Sequence, residues 1–352
     1  PILPETRFRS LTPLPGDDGV ILHELPPTLG STRLRLSYLQ GNRVLKLLDE
    51  TEMPGILRPV GWSSDRSRLI LQGTDSATSA PFYRWLDVDA CRAAGCTLQP
   101  LPGYPIWSPD GRYTILVAGS TLHLGDASGQ IQQPLGDGFS PVWLDAERYA
   151  FIRFEQVEGR ITAVVMVGRL GENAPQTLFT AATLSQLLSG GEETAVFPKY
   201  ISLSPADPDL LVVAASGIND RAGRYYIFTY RLDGLLELRL EIDGAPQGNP
   251  AQRTPIGYPP YLVSPAGRGL VLGEFPEPWP FSPPTRARTE PPVIPPAAPA
   301  VPDRFPYFDW SADGRWLIIA DNGFLRLLAP DHNYQRLIPH AFDACLHTAW
   351  VK

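Results

Sequence analysis

Lysine is nearly missing from this 352-residue sequence. Only Lys46, Lys199 and Lys352 occur among its 30 basic residues, and the rest are Arg. No basic run exists, and the formal net charge is -7. An acidic total repels phosphate, so nucleic acid is not an expected partner. The scattered Arg reads as GC-rich coding. No apolar run approaches the ~18 residues that a membrane-spanning helix requires. No leader is visible either, although the chain starts at Pro1 without Met. A trimmed product is expected, from which an N-terminal anchor can have been lost.

Metal-ligating residues are scarce: three Cys and five His. No His pair has ligand spacing, and His23, His123, His332, His340 and His347 read as solvated loop or strand residues. Cys91 and Cys96 stand close together in "DACRAAGCTL", at the tip of an expected hairpin. Zinc needs two further ligands nearby, and the nearest His is His123. A local disulfide is the expected state, with two free thiols as the alternative. If formed, it places the chain in an oxidising compartment, periplasmic, surface-bound or secreted. Cys345 reads as a core residue. Catalytic signatures are absent too: no G-x-S-x-G elbow, Walker A loop, H-E-x-x-H or EF-hand loop occurs. No cofactor is expected.

What the sequence has in abundance is proline, 39 residues, about twice the usual ~5% share. With 31 Gly and little amphipathic periodicity, this points to strands and turns. A repeat carries the fold. "PIWSPDGRYTILV" (Pro105 to Val117) recurs as "FDWSADGRWLIIA" (Phe308 to Ala320), and more weakly as "VGWSSDRSRLILQ" (Val60 to Gln72). "PVWLDAERYAFIR" keeps the Trp. "SLSPADPDLLVVA" and "YLVSPAGRGLVLG" keep only the turn and the following strand. Aligned on the Trp, the copies fall at Trp62, Trp107, Trp143, Leu203, Val263, Trp310 and Trp350. Their spacings are 45, 36, 60, 60, 47 and 40 residues. Each unit is an apolar strand, a Pro-Asp-Gly type turn and a β-branched or aromatic strand. Two more strand signals follow, such as "RYYIFTYRL" and "LLELRLEI" joined at Asp233-Gly234.

These units resemble the WD40-like repeat of TolB, of the propellers of the prolyl oligopeptidase class and of many bacterial surface proteins. The resemblance implies an all-β, seven-bladed β-propeller, with six or eight blades as alternatives, in which Trp wedges between stacked sheets. Residues 1–352 are expected to form one domain. The strand ending at Trp350 is expected to complete the blade begun by residues 19–49, closing the ring. The motif is structural and transfers no catalytic residue. Relatives with this repeat mostly bind proteins, or gate a hydrolase supplied by another domain.

Two inserts break the period. Residues 179–200 hold a helix candidate, Ala181 to Leu188, ended by Gly190-Gly191. Residues 274–306 are Pro-dense and expected to run as an extended polyproline-like surface segment. That segment is either a solvated loop or a docking arm presenting Trp279, Phe281, Arg286 and Arg288. Aromatic residues also precede the inner strands: Tyr104, Phe197, Tyr200, Tyr258, Tyr261 and Tyr307. They either steer the chain between blades or line a protein- or glycan-binding rim.

The expected function is therefore a noncatalytic extracytoplasmic platform for protein partners, in a surface or membrane-associated assembly. A glycan-active hydrolase or lyase using Asp309, Glu274 or Asp145 in the central channel is one alternative. The recognition propeller of a larger peptidase-type hydrolase is another.

Overall fold

The computed structural model describes residues 8–13, 19–24, 33–40, 43–52, 58–63, 67–75, 77–78, 80–94, 97–157, 159–172, 174–188, 196–204, 207–217, 225–242, 261–263, 269–272, 275–280, 307–311, 315–321, 324–329 and 334–339. Among these, the chain forms seven antiparallel sheets, each made of strands consecutive in sequence. The first holds β1 (Phe8–Pro13), β2 (Gly19–Glu24), β3 (Arg33–Gln40) and β4 (Arg43–Glu52). The second holds β5 (Arg58–Trp62), β6 (Arg68–Thr74), β7 (Pro81–Asp87) and β8 (Gln99–Leu101), with helix α1 (Val88–Ala94) before β8. The third holds β9 (Tyr104–Trp107), β10 (Tyr113–Ala118), β11 (Thr121–Asp126) and β12 (Ile131–Asp137). In the fourth are β13 (Phe139–Trp143), β14 (Arg148–Val157), β15 (Arg160–Arg169) and β16 (Gln176–Thr180), followed by helix α2 (Ala181–Gln186). The fifth comprises β17 (Val196–Ser204), β18 (Asp207–Gly217), β19 (Tyr225–Arg231) and β20 (Leu236–Ile242). Three strands make the sixth, β21 (Tyr261–Val263), β22 (Gly269–Leu272) and β23 (Phe275–Pro280). The seventh has β24 (Tyr307–Trp310), β25 (Leu317–Asp321), β26 (Phe324–Ala329) and β27 (Tyr334–Pro339).

Period-two alternation buries both faces of the central sheets. On β14, Tyr149 and Phe151 join a cluster with Ile115 and Leu122 of the third sheet. Their neighbours Ala150 and Ile152 join Leu211 and Val213 of the fifth. Strand β15 repeats the split, Val164 and Met166 one way, Ala163 and Val165 the other. A third cluster joins Ile70 and Tyr83 of the second sheet to Trp107 of the third. The sheets thus stack face to face, each fully buried large side chain contributing ~1.5–3 kcal/mol. Their first strands adjoin: β13 lies against β9 and β17, and β1 against β5. Meandering sheets stacked face to face, first strands side by side, are the construction of a β-propeller.

The repeat residues explain themselves locally. Ser63, Ser108 and Ser311, each directly after the Trp, are all buried. Each hydroxyl accepts the backbone N–H five residues on, from Arg68, Tyr113 and Trp316 at 3.0, 3.1 and 2.9 Å. The tight turn between first and second strand is closed this way. In the third sheet Gly111 supplies the positive φ of 72° that the turn needs. Asp110 binds Ser108 and Arg112, and these hydrogen bonds lower its carboxyl from 3.8 to about 2. A depressed carboxyl stabilises the fold above its unfolded value and loses that contribution as pH falls toward about 2. Wild type is therefore expected to lose more stability than Asp110→Asn between pH 4.5 and pH 2, read as urea midpoints.

The structure corrects four expectations. The edge of β2 expected to take the terminal strand carries β1, paired from Phe8↔Glu24 to Pro13↔Val20. His347 to Lys352 lie outside the described residues. The connection bearing Cys91 is not a bare hairpin tip but holds α1, opened by Asp87 Oδ1 accepting the Ala90 N–H at 2.8 Å. Residues 275–280 are not a polyproline-like segment but a strand. Its register pairs Leu270 with Trp279, flanked by Pro278 and Pro280. Pro has no N–H to donate, so prolines at alternate positions are compatible with ladder bonds made through Trp279 between them. A strand without donors at those two positions suits the edge of a sheet. Finally, α2 ends at Gln186, two residues earlier than expected. It opens on a Thr180–Thr183 capping box and seats Leu184 in the core between the fourth and fifth sheets. Gly190 and Gly191 lie outside the described residues.

Candidate functional site

The stack has two unlike rims. The trailing rim carries the turns between first and second strands. There, acids and arginines pair within and between turns: Asp110–Arg112 and Asp145–Arg148 at 2.6 Å, Glu147–Arg169 at 2.9 Å and Asp207–Arg231 at 3.1 Å. These are exposed pairs of small energetic weight, and they make a solvated surface. Asp145, considered for channel chemistry, belongs to this rim. Its carboxylate accepts the backbone N–H groups of Glu147 and Arg148 and the Arg148 guanidinium.

The leading rim, where first strands begin, carries an apolar patch in the fourth and fifth sheets, beside an Arg153–Glu155 pair on β14. Strand β13 pairs with β14 only as far as Phe139↔Ile152, and β16 pairs with β15 only as far as Val164↔Thr180. The hairpin from Arg153 to Ala163 therefore extends beyond both flanking strands, paired only with itself. Along it, Phe154 opposes Ala163 and Gln156 opposes Ile161. All four share one face, and Ala163 packs toward the fifth sheet. Phe154 and Ile161 are 53% and 70% exposed and share that one face, so they form a contiguous apolar patch.

Beneath that face lies an aromatic floor. The Phe154 ring is 5.2 Å from Phe139 and 6.5 Å from Phe197, centroid to centroid. Phe139 opens β13, and Phe197 lies at the start of β17. The Ser140 hydroxyl ties these strands, accepting the Ile201 N–H at 2.9 Å. Ser140 holds a left-handed φ of 50°, a strain that this bond offsets. Lys199 is the extra residue of a bulge, set between the pairs Pro198↔Ala215 and Tyr200↔Ala214. Its ammonium stands 5.9 Å from the Phe197 ring centre, and desolvation draws its pKa down. Among the described residues no carboxylate pairs with it.

The expected rim aromatics divide. Tyr104 opens β9 but packs between sheets, edge-on to Tyr83 at 5.7 Å. A Cβ on Gly61 would stand 2.7 Å from the Tyr104 hydroxyl, so a larger residue at that point of β5 requires the tyrosine to shift. Tyr200 lies within β17, and burial pushes its phenol up. Tyr261 and Tyr307 open β21 and β24, and Trp279 lies in β23. Asp309 sits on β24 and His123 on β11. Tyr258, Arg286, Arg288, Phe281 and Glu274 lie outside the described residues. Sequence reading missed Phe139, Phe154 and Ile161. The signal was two ten-residue strands around Glu158-Gly159, longer than their neighbours need. Cys91 is buried and disulfide-bonded, while Cys96 lies outside the described residues. Among the described residues no group of three His, Cys, Asp or Glu is placed to hold a metal ion.

No family model and no curated protein matches the chain. Solved structures do. The WD40 domain of Neurospora crassa Pan2 is 15% identical, over 75% of this chain and 71% of its own, at a TM-score of 0.44. A chain of the mitotic checkpoint complex is 16% identical over 90% and 92%, at 0.46. A protein of Agrobacterium tumefaciens assigned as a TolB is 13% identical over 84% and 83%, at 0.39. All three TM-scores lie below one half, so the propeller assignment rests on the sheets themselves.

Proposed function

We propose that this chain is a noncatalytic propeller whose seven sheets are seven blades, binding or scaffolding other proteins through its leading rim. The observation that carries the reading is the projecting hairpin of the leading rim. It presents Phe154 and Ile161 together to solvent above an aromatic floor, whereas the exposed large apolar side chains of the trailing rim, Ile131 and Leu235, belong to separate sheets. Exposed apolar side chains in one patch suit a protein interface and are costly to leave in water. An extracytoplasmic home, as a subunit of a surface or membrane-associated assembly, accords with a bonded Cys91, for which we propose Cys96 as partner.

The test is capture on the immobilised chain from a native envelope fraction, with mass spectrometry of what is retained. A stoichiometric, salt-resistant protein partner is the expected result. Recovery of no partner, together with turnover of any glycan, would overturn it in favour of channel chemistry.

A further inference from the structure

The projecting hairpin and the start of the fifth sheet present an apolar surface, in which Phe154 packs on Phe139 and Phe197 and Ile161 stands exposed. Lys199 stands beside Phe197 without a counter-charge among the described residues. We propose that this surface receives a segment of a partner polypeptide in which large apolar side chains flank an Asp or Glu. The apolar side chains pack on Phe154 and Ile161, and the carboxylate pairs with Lys199.

Three observations select this occupant. A half-buried ammonium beside an aromatic ring gains most from a carboxylate that arrives with its own apolar neighbours, because both are then desolvated together. The bulge at Lys199 breaks the β17 ladder at that point, which turns the side chain out of the regular alternation. Among the described residues Lys199 is the unpaired cation there, Arg153 being paired with Glu155, and the chain carries a net charge of -7, which disfavours a nucleic-acid backbone that needs several cations. Ser140 holds the two floor strands together through Ile201, so the floor is preformed and little ordering opposes binding.

This inference rests on the protein-binding reading and narrows it to one place and one chemistry. Its test is panning of a random dodecapeptide phage library on the intact chain, on Lys199→Glu and on Phe154→Ser, with melting curves confirming that each variant folds. Wild type is expected to enrich peptides combining Leu, Ile or Phe with Asp or Glu. Lys199→Glu should exchange the acid for Lys or Arg in the enriched set. Phe154→Ser should weaken the wild-type peptides by about 30-fold, the size of a hot-spot loss. An enriched set without acids, or one unchanged by Lys199→Glu, overturns the inference and leaves the platform reading standing. Failure to enrich any peptide also overturns it. The platform reading falls only if the envelope capture fails as well.

Discussion

Trp143→Ala should destabilise the fold by about 3–5 kcal/mol, the range for an aromatic deleted from a packed core. Trp143 is 4% exposed and closes β13. Its ring meets Tyr149 edge-on at 5.7 Å, and its indole N–H donates to the Ile106 carbonyl at 2.8 Å, crossing from the fourth sheet to the third. Removal empties the wedge and orphans a carbonyl. Trp143→Phe keeps most of the volume, and its hydrogen-bond loss alone amounts to about 1 kcal/mol. Urea unfolding of both variants separates packing from the hydrogen bond. If both lose the same small amount, Trp143 is no wedge between sheets.

A still larger loss is expected from either of two adjacent substitutions on β15, Ala163→Asp and Val164→Asp. Both residues are at most 1% exposed, yet they face opposite sides, Ala163 the fifth sheet and Val164 the third. A carboxylate buried unpaired on either side costs several kcal/mol or forces its own protonation. In a sheet with one solvated face, one of the two would be tolerated. In a stack of blades neither is, and both variants should fail to accumulate as folded protein at neutral pH. A native melting curve for either would count against face-to-face stacking on that side.

The blade plan was legible because its signal is repeated and local. The Trp markers end the first strands of the second, third, fourth and seventh sheets, at Trp62, Trp107, Trp143 and Trp310. Gln176–Thr180 and Leu236–Ile242 formed as strands where alternation placed them. Strand β1 was missed because "FRSLTP" is short, interrupted by polar residues and ends in Pro, and only its pairing with β2 makes it a strand. The β23 error was one of degree. Prolines at alternate positions are compatible with pairing on one side, and density of Pro alone cannot distinguish an edge strand from a loop.

The candidate site was half legible. Phe197 was in view among the aromatics near the start of a first strand, while Lys199 stood only as one of three lysines. Phe154 and Ile161 look in sequence like ordinary core alternation. Their exposure follows from a length mismatch: β14 and β15 outrun β13 and β16, and that is visible only once register is fixed. That Tyr104 is partly buried against Tyr83 is likewise visible only in the tertiary structure. Its closeness to Gly61 is a tertiary fact too.

The binding claim is tested most directly by repeating the envelope capture with one rim altered at a time and measuring the Kd of the retained partner. Phe154→Ser with Ile161→Ser changes the leading rim. Arg112→Ala with Arg169→Ala changes the trailing rim. All four sites carry exposed side chains, so folding should survive. The leading-rim variant is expected to lose at least about 30-fold in affinity, and the trailing-rim variant to stay within about threefold of wild type. Undiminished binding by the first, or loss by the second alone, would contradict the account.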